Sequence, residues 1–330
     1  MVKKMNYRIL VTGGAGFIGS NLVEALLADG HQVTVLDNFA TGKRENLAPF
    51  AGNPDFCLIE GDIRDLTICR KAVDGQDFVL HQAALGSVPR SIKDPMTSTE
   101  VNVSGFANML FAAQEAKIKR FVYASSSSTY GDSAELPKVE ERIGRPLSPY
   151  AITKYVNELY ADNFHRLYGI DCIGLRYFNV FGRRQNPFGA YAAVIPKFVI
   201  SLLRHERPVI NGDGTYSRDF TYIDNVIQAN QRAMLATRPE ALNQVYNVAC
   251  GEQTNLNELF AILRDNLTRF DPAIASITPE YGPVRVGDVP HSLASIDKIQ
   301  RLLGYQPLFT TRQGLDAATQ WYYENLACQA

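Results

Sequence analysis

The sequence predicts an α/β fold in which a doubly wound parallel sheet is joined to a smaller mixed α/β lobe. Short apolar runs rich in β-branched residues alternate with amphipathic stretches through the first half of the chain, which is typical of a parallel sheet covered on both faces by helices. A glycine-rich stretch directly follows the first of these runs. The predicted strands are residues 8–12, 32–36, 56–59, 77–81, 120–124, 171–176 and 245–249.

Helices are predicted between these strands. The stretches 17–29 and 150–168 each stop at a glycine, a common helix terminator, and 101–116 carries apolar residues at helical spacing. After residue 176, prolines and glycines divide the chain into shorter segments, with further helices at 256–267 and 313–326. We expect one domain of residues 1–180 plus about 215–250 and a second of 181–214 with 251–330, facing each other across a cleft.

Composition excludes several classes of protein and partner. The 330 residues, 46% hydrophobic and 20% charged, suit about two globular domains. No apolar stretch reaches the roughly 18 residues of a membrane span or forms a signal-peptide core, so we expect a cytoplasmic chain without a membrane partner. With 33 basic and 34 acidic residues and no basic run, nucleic acid is not an expected partner. The five cysteines and five histidines lack metal-binding spacing, so no metal is expected.

The glycine-rich stretch predicts a dinucleotide site. Gly13, Gly16 and Gly19 lead from the first strand into the helix at 17–29, and glycines at this spacing let a pyrophosphate approach the helix N-terminus. Asp37 ends the next strand, where a carboxylate can accept hydrogen bonds from the adenosine ribose and repel a 2′-phosphate. A Rossmann-type fold that binds NAD rather than NADP is therefore predicted. The alternative is a plain tight turn, with Asp37 capping a loop.

A second group of residues predicts catalysis. Tyr150 and Lys154 are four residues apart in the helix at 150–168 and share one face. A nearby cation favours the phenolate and lowers the pKa of a tyrosine, which makes it usable as a base. The serines 125–128 follow the strand at 120–124, at the sheet edge where ligands bind in such folds. Taken alone, Tyr150 and Lys154 can be explained by a solvated helix face, and the serines can be explained by a turn.

Together these motifs resemble those of the extended short-chain dehydrogenase/reductases, and within them the sugar-nucleotide 4-epimerases. The resemblance covers about residues 7–322, and it is carried by T-G-G-A-G-F-I-G (12–19), G-D-I-R (61–64), H-Q-A-A (81–84), S-P-Y (148–150), L-R-Y-F-N (175–179) and S-R-D (217–219). More narrowly, the sequences of residues 83–91 and 182–187 are similar to those typical of one branch of this family. That branch interconverts UDP-N-acetylglucosamine and UDP-N-acetylgalactosamine.

The resemblance implies roles for individual residues. Ser126 would hydrogen-bond the sugar 4-oxygen, Tyr150 would be the base, and Lys154 would hold the nicotinamide ribose and tune that base. The implied NAD contacts are Gly13, Gly16, Phe17, Ile18, Gly19, Asp37, Asn38, Gly42, Asp62, Ile63, Gln82, Ala83, Ala84, Gly86, Asn102, Ser125, Tyr150, Lys154 and Tyr177. The implied contacts to a UDP-sugar are Ser87, Arg90, Ser126, Ser127, Ser128, Tyr150, Asn179, Val194, Asn211, Arg218, Arg285, Asp288 and Ser292.

The implied reaction is a transient oxidation at C4. Tyr150 takes the proton of the 4-hydroxyl while the C4 hydride passes to NAD, and return of both to the other face of the 4-keto sugar inverts C4. Ser292 stands where the family governs acceptance of a 2-acetamido group, and its small side chain leaves room, although it can also cap a turn. Arg218 can be structural, and Arg285 with Asp288 can be a surface ion pair.

Other activities stay open at this point. Arg90 can meet a C6 carboxylate or form a surface salt bridge, so epimerisation of UDP-glucose and UDP-galactose, or of UDP-N-acetylhexosaminuronic acids, is an alternative. A 4,6-dehydratase is less expected because Ser127 and Ser128 stand where that reaction needs an Asp-Glu pair. A non-catalytic nucleotide-sugar sensor would not need the intact catalytic residues. The resemblance also implies a homodimer through helices 101–116 and 150–168, whose apolar residues fit a core equally well.

Overall fold

The computed structural model describes residues 6–188, 192–284 and 289–327. Seven of its strands form one sheet, namely β1 (Arg8–Thr12), β2 (Gln32–Asp37), β3 (Phe56–Glu60), β4 (Phe78–His81), β5 (Arg120–Ser126), β6 (Cys172–Tyr177) and β7 (Gln244–Val248). Their spatial order is β7-β6-β5-β4-β1-β2-β3. All neighbouring pairs are parallel, so the predicted doubly wound sheet is confirmed.

Both faces of this sheet are buried, because successive side chains of a strand point to opposite faces. Ile9 and Val11 of β1 belong to one large apolar cluster. Leu10 belongs to a second cluster, which also contains Phe121 and Tyr123 of β5. This two-sided burial explains why the strands are apolar throughout instead of alternating with polar residues.

Helices cover both faces. They are α1 (Phe17–Ala28), α2 (Leu66–Val73), α3 (Val88–Lys93), α4 (Pro95–Thr99), α5 (Phe106–Glu115), α6 (Pro149–Tyr168), α7 (Val194–Leu203), α8 (Ile223–Met234), α9 (Leu256–Thr268), α10 (Asp297–Leu303) and α11 (Thr311–Leu326). The helices α2, α3, α4, α7, α8 and α10 were not predicted. No helix in the described part of the chain is long and apolar enough to cross a bilayer.

The predicted α-helix over 101–116 is wrong in its first turns. Residues Glu100–Gly105 form a π-helix, and the α-helix begins only at Phe106. Asn102 in this segment holds the backbone of Leu85 through both its amide atoms. Gly105 packs so closely that a Cβ there would lie 2.6 Å from Ile63. These two contacts accompany the local widening of the helix, which is a common feature near functional sites.

The second half of the chain adds short strand pairs beside the main sheet. Val180–Phe181 pairs with Thr221–Tyr222, and Val209–Asn211 pairs with Glu280–Gly282, both in parallel. Ser217–Arg218 pairs antiparallel with Thr254–Asn255. Because Val180–Phe181 comes directly after β6, the first pair brings residues 221–222 to the carboxyl end of that strand.

Candidate active site

The turn between β1 and α1 is shaped by close backbone contacts. The Gly13 N–H donates to the Leu36 carbonyl at 2.8 Å, and a Cβ on Gly13 would lie 2.7 Å from the backbone nitrogen of Ala83. A Cβ on Gly19 would overlap the carbonyl oxygen of Gly13. The N-cap of α1, Gly16, offers no side-chain hydrogen bond to the first helical N–H groups. These donors are thus available to an anion such as a pyrophosphate.

Asp37 lies at the carboxyl end of β2 beside this turn. Its Oδ2 accepts the Ala15 N–H and its Oδ1 accepts the Phe39 N–H, both within 2.9 Å. Burial raises the pKa of Asp37, and the two backbone hydrogen bonds oppose that rise. Each carboxylate oxygen can accept a second hydrogen bond, so the two backbone bonds leave acceptor capacity for ribose hydroxyls.

Asp62, after β3, is held by its neighbours. Arg64 and Asn38 donate to its carboxylate, each with a bond of 2.8 Å. The hydrogen bond from Arg64 is the main reason why the pKa of Asp62 is lowered to about 2. The carboxylate is therefore ionised at all ordinary pH values and fixes the loop that follows β3.

A cleft of about 400 Å³ runs along these strand ends. Every predicted cofactor residue except Gly42 and Asn102 lines it. Gly42 packs against Ala15, and Asn102 holds Leu85, which itself lines the cleft. The lining residues that the sequence did not predict are Leu36, Ala40, Thr41, Gly61, Arg64, Leu85, Thr97, Val101 and Ala124. Most are direct neighbours of predicted residues, whereas Thr97 and Val101 follow no motif.

Tyr150 and Lys154 line the same cleft, and Ser126 follows its lining residue Ser125 at the end of β5. Pro149 and the N-cap Ser148 start α6 just before Tyr150, and Ser126 is close enough to influence the pKa of the phenol. The Lys154 Nζ donates to the Ala124 carbonyl at 2.8 Å and lies 6.0 Å from the centre of the Tyr150 ring. A hydroxyl, a phenol and an ammonium thus converge at the carboxyl end of β5.

The ionisation of these groups differs from the sequence prediction. Burial raises the pKa of Tyr150, and interaction with the Ser126 side chain partly offsets this rise. The predicted lowering by Lys154 is not found: its ammonium donates to the Ala124 carbonyl and lies 6.0 Å from the centre of the Tyr150 ring. Burial lowers the pKa of Lys154 to about 8, and Glu158 opposes this. Lys154 therefore remains mostly protonated at neutral pH.

A second cleft of about 560 Å³ contains four of the predicted substrate residues, Asn179, Val194, Asn211 and Arg218. Four of its lining side chains are cationic and one is acidic, which suits a diphosphate. The lining residues that the sequence did not predict are Pro187, Lys197, Phe198, Ile200, Ser201, Arg204, Glu206, Arg207, Val209, Tyr216, Phe220 and Leu256. Tyr177 lines the first cleft and Asn179 the second, so both clefts reach the end of β6.

Asp219 is a buried residue that connects separate segments of the chain next to Asn179 of the second cleft. Its carboxylate is fully buried and accepts the backbone N–H groups of Cys250, Gly251 and Ala294. Burial raises the pKa of Asp219 to about 7 against the effect of these donors. The carbonyl of Asp219 accepts a hydrogen bond from Asn179 at 3.0 Å. The side chain of Asp219 thus ties two separate segments, residues 250–251 and Ala294, to the residue whose carbonyl holds Asn179 of the cleft.

The other predicted substrate residues are placed differently. Ser87 caps α3 by accepting the Arg90 N–H, and Arg90 lines a small side pocket with Lys43 and Arg184. The Ser128 hydroxyl donates to Ser126, and Ser127 begins a short 3₁₀ helix. Ser292 donates its backbone N–H to the Ser217 carbonyl and lines neither main cleft. The predicted contacts Arg285 and Asp288 lie outside the described residues.

Comparison with known proteins agrees with this geometry. The model of the NAD dependent epimerase/dehydratase family matches residues 9–249. A UDP-N-acetylglucosamine 4-epimerase from Methanobrevibacter ruminantium, solved with UDP-N-acetylmuramic acid, is 38% identical, with a TM-score of 0.89 over 97% of this chain and 99% of that one. A putative UDP-glucose 4-epimerase of Methanocaldococcus jannaschii is 37% identical over 96% of this chain and 99% of its own length.

A third relative has been solved with the cofactor. The UDP-glucose 4-epimerase of Thermus thermophilus, in complex with NAD, is 33% identical and has a TM-score of 0.84, covering 96% of this chain and 99% of that chain. The glycine cradle and Asp37 described above suit the same cofactor. The chain therefore belongs to the NAD dependent epimerase/dehydratase family, within the extended short-chain dehydrogenase/reductases, and its cofactor is NAD.

Proposed function

We propose that this protein epimerises UDP-N-acetylhexosamines at C4, interconverting UDP-N-acetylglucosamine and UDP-N-acetylgalactosamine through a 4-keto sugar. The observation that carries this proposal is the position of Tyr150 and Ser126 at the carboxyl end of β5, next to the end of β6, which both clefts reach. A nucleotide held in the cationic second cleft can then extend its sugar toward the phenol and the first cleft.

Each catalytic side chain has one task. Ser126 donates to the sugar 4-oxygen and holds it next to the Tyr150 phenol, whose pKa this serine lowers. Tyr150 takes the 4-hydroxyl proton as a phenolate and later returns it to the 4-keto oxygen. Lys154 keeps a positive charge near the phenolate. Bound NAD supplies reversible hydride acceptance and, when oxidised, a further positive charge.

The choice among UDP-sugars depends on two observations. The relative at 38% identity is a UDP-N-acetylglucosamine 4-epimerase, and Ser292 is small where the family limits the 2-acetamido group. UDP-glucose and UDP-galactose are the second candidate pair, since the relative at 37% identity is named a putative UDP-glucose 4-epimerase. Uronic acid substrates are the third, supported by the side pocket that Arg90, Lys43 and Arg184 line.

A 4,6-dehydratase is disfavoured by the carboxylates of the first cleft. That reaction needs an acid and a base beside the oxidised sugar. The carboxylates that line the described cleft are Asp37 and Asp62, which follow β2 and β3, and the spatial order places these strands three and four positions from β5. The positions next to Ser126 hold serines. A non-catalytic sensor would have no use for the grouping of Tyr150, Ser126 and Lys154.

The first experiment follows UDP-N-acetylgalactosamine by proton NMR with purified, NAD-loaded protein and no added reductant. We expect the gluco epimer to appear at constant total sugar. Parallel reactions with UDP-galactose and UDP-N-acetylgalactosaminuronic acid rank the three substrate pairs. A stable 4-keto-6-deoxy product would identify a dehydratase instead, and no reaction with any substrate would contradict an epimerase.

Substitution Ser292→Tyr tests the substrate class. We expect the ratio of turnover on UDP-N-acetylgalactosamine to turnover on UDP-galactose to fall about tenfold or more, because bulk in a substrate pocket discriminates by 10- to 200-fold. The matched control Ser276→Tyr places the same bulk on an exposed serine at the end of the short helix Pro272–Ser276. An unchanged ratio in Ser292→Tyr would show that this position does not limit the 2-acetamido group.

We infer that the protein pairs with a second copy through α6. On α5, Phe106, Met109 and Leu110 are fully buried in the core. Helix α6 instead leaves Ile152, Leu159 and Leu167 exposed by 51%, 51% and 64%. These positions recur at helical spacing and form one stripe, and such an exposed stripe marks an interaction surface.

Substitution Leu159→Glu tests this pairing. We expect it to convert a dimer to a monomer at micromolar concentration in sedimentation equilibrium, since a C2 interface receives the charge twice. The control Leu235→Glu places the same charge on an exposed leucine at the end of α8 and should leave the dimer intact. A monomeric wild type would contradict the inference.

A further inference from the structure

A buried ion pair connects α6 with the ends of β5 and β6. Glu158 lies one turn beyond Lys154 on α6 and is 6% exposed. Its Oε1 accepts hydrogen bonds from Ser125 Oγ at 2.5 Å and Arg176 Nε at 2.9 Å, and its Oε2 accepts Arg176 Nη2 at 2.7 Å. Arg176 also donates to the Glu140 carbonyl at 3.0 Å. The Glu158 carboxylate is therefore held by two neighbouring side chains, Ser125 and Arg176.

The partners of Glu158 are the direct neighbours of active-site residues. Ser125 precedes Ser126 at the end of β5, and Arg176 precedes Tyr177 at the end of β6. The two strands pair in register at these positions, with Ser125 opposite Arg176. Glu158 thus joins the helix that carries Tyr150 and Lys154 to the two strand ends that carry the remaining groups.

We propose that Glu158 is a positioning residue, which through its bonds to Ser125 and Arg176 holds α6 against the ends of β5 and β6 so that Tyr150, Lys154 and Ser126 stay aligned, with its carboxylate one helical turn beyond Lys154. The proposal rests on the proposed function, because the alignment serves transfer of the 4-hydroxyl proton. A buried ion pair adds little net stability compared with apolar packing. Fixing the site geometry is therefore the role that the location of this pair supports.

The groups around Glu158 show which charge would respond to its removal. Burial raises the pKa of Tyr123 well above its ordinary value, so this phenol stays neutral. Burial, together with Lys154, lowers the pKa of His81 to about 3, so this imidazole is neutral too. The titratable and charged groups that face Glu158 or Lys154 are Tyr150 on α6, Tyr123 on β5, Arg176 on β6 and His81 on β4. Lys154 is the one among them whose charge changes near pH 8.

Substitution Glu158→Gln is the direct test. We expect kcat to fall about 10- to 100-fold, a typical cost of misplaced proton transfer, while KM for the UDP-sugar changes less than about threefold. The alkaline limb of the kcat–pH profile should move to lower pH by about one unit, because Lys154 loses a nearby negative charge. The control Asp162→Asn removes an exposed ion pair with Arg166 one turn further along α6 and should leave kcat and the profile unchanged.

A second variant keeps the test valid if Glu158→Gln folds poorly. Glutamine leaves the Arg176 charge buried and unpaired, which strongly destabilises proteins. The double variant Glu158→Gln/Arg176→Gln removes both charges and should show the same shift of the alkaline limb. A folded double variant with the wild-type profile would overturn the proposal, as would a loss of rate that arises from KM alone.

A failure of the proposed function can be distinguished from a failure of the proposal for Glu158. If wild-type protein epimerises no UDP-sugar, the positioning proposal is decided by NMR titration of ¹³Cε-labelled lysine in the NAD-loaded protein, with the Lys154 signal assigned through Lys154→Met. We expect the Lys154 midpoint to be lower in Glu158→Gln than in wild type. Equal midpoints would overturn the role of Glu158 whatever the substrate is.

Discussion

Substitution Tyr150→Phe is expected to lower the epimerisation rate by about 10²- to 10⁴-fold, the usual contribution of a positioned general base. The phenol lines the cofactor cleft, so its loss removes the proton acceptor for the 4-hydroxyl. Binding of UDP should stay nearly intact, because the second cleft does not include this side chain. Proton NMR measures the rate, and calorimetric titration measures UDP binding.

The matched control is Tyr168→Phe at the end of the same helix, where the tyrosine is exposed. It removes the same oxygen atom and should change neither quantity. A Tyr150→Phe protein that retained more than about a tenth of the wild-type rate would exclude Tyr150 as the base. Loss of UDP binding together with activity would instead indicate a structural role.

Substitution Gly19→Ala is expected to remove most of the bound NAD and to destabilise the protein. The added Cβ would overlap the carbonyl oxygen of Gly13 and approach the Cα of Gly14 at 2.8 Å. These are backbone atoms of the turn that receives the pyrophosphate, so they cannot move aside as a flexible side chain would. Overpacking of this kind costs about 1–3 kcal/mol of unfolding free energy, and displacement of the turn should weaken NAD binding tenfold or more.

Urea unfolding and the NAD content of the purified protein measure the two effects. Gly52→Ala is the matched control, since a Cβ there meets no atom within 4 Å and its backbone conformation suits any residue. Retention of full NAD content in Gly19→Ala would show that the turn adapts and that the close approach does not govern cofactor binding.

Most strands of the main sheet could be predicted because a strand that is buried on both faces is apolar along its whole length. The structure shifts their predicted ends by only one or two residues. Helix α7 was missed because Pro196 was interpreted as a break, whereas it lies in the first turn of that helix, where proline is tolerated. Helix α8 carries an interpretable signal, with Val226, Ile227 and Met234 buried at helical spacing. The π-helical turns around Asn102 depend on a tertiary contact that the local sequence does not express.

The candidate site likewise contains residues that the sequence predicts and residues that it does not. Asp37 and Asp62 could be located because strand ends in a parallel sheet meet at one edge. Cationic residues of the second cleft such as Lys197 and Arg204 come from one face of α7 and its end, and neither lies in a motif. Glu158 and Asp219 act through buried contacts to partners 18 to 75 positions away in sequence, which spacing alone does not indicate.

The late position of β7 in the chain has a consequence for folding and for attempts to divide the protein. Strand β7 pairs with β6 only after about 70 intervening residues, which include α7 and α8. During synthesis the edge of β6, all of whose residues are buried in the complete fold, remains unpaired until residue 248 has emerged, and such an apolar edge invites association between chains. A fragment that ends near residue 180 should therefore aggregate, and the cofactor-binding half cannot be produced by a single cut.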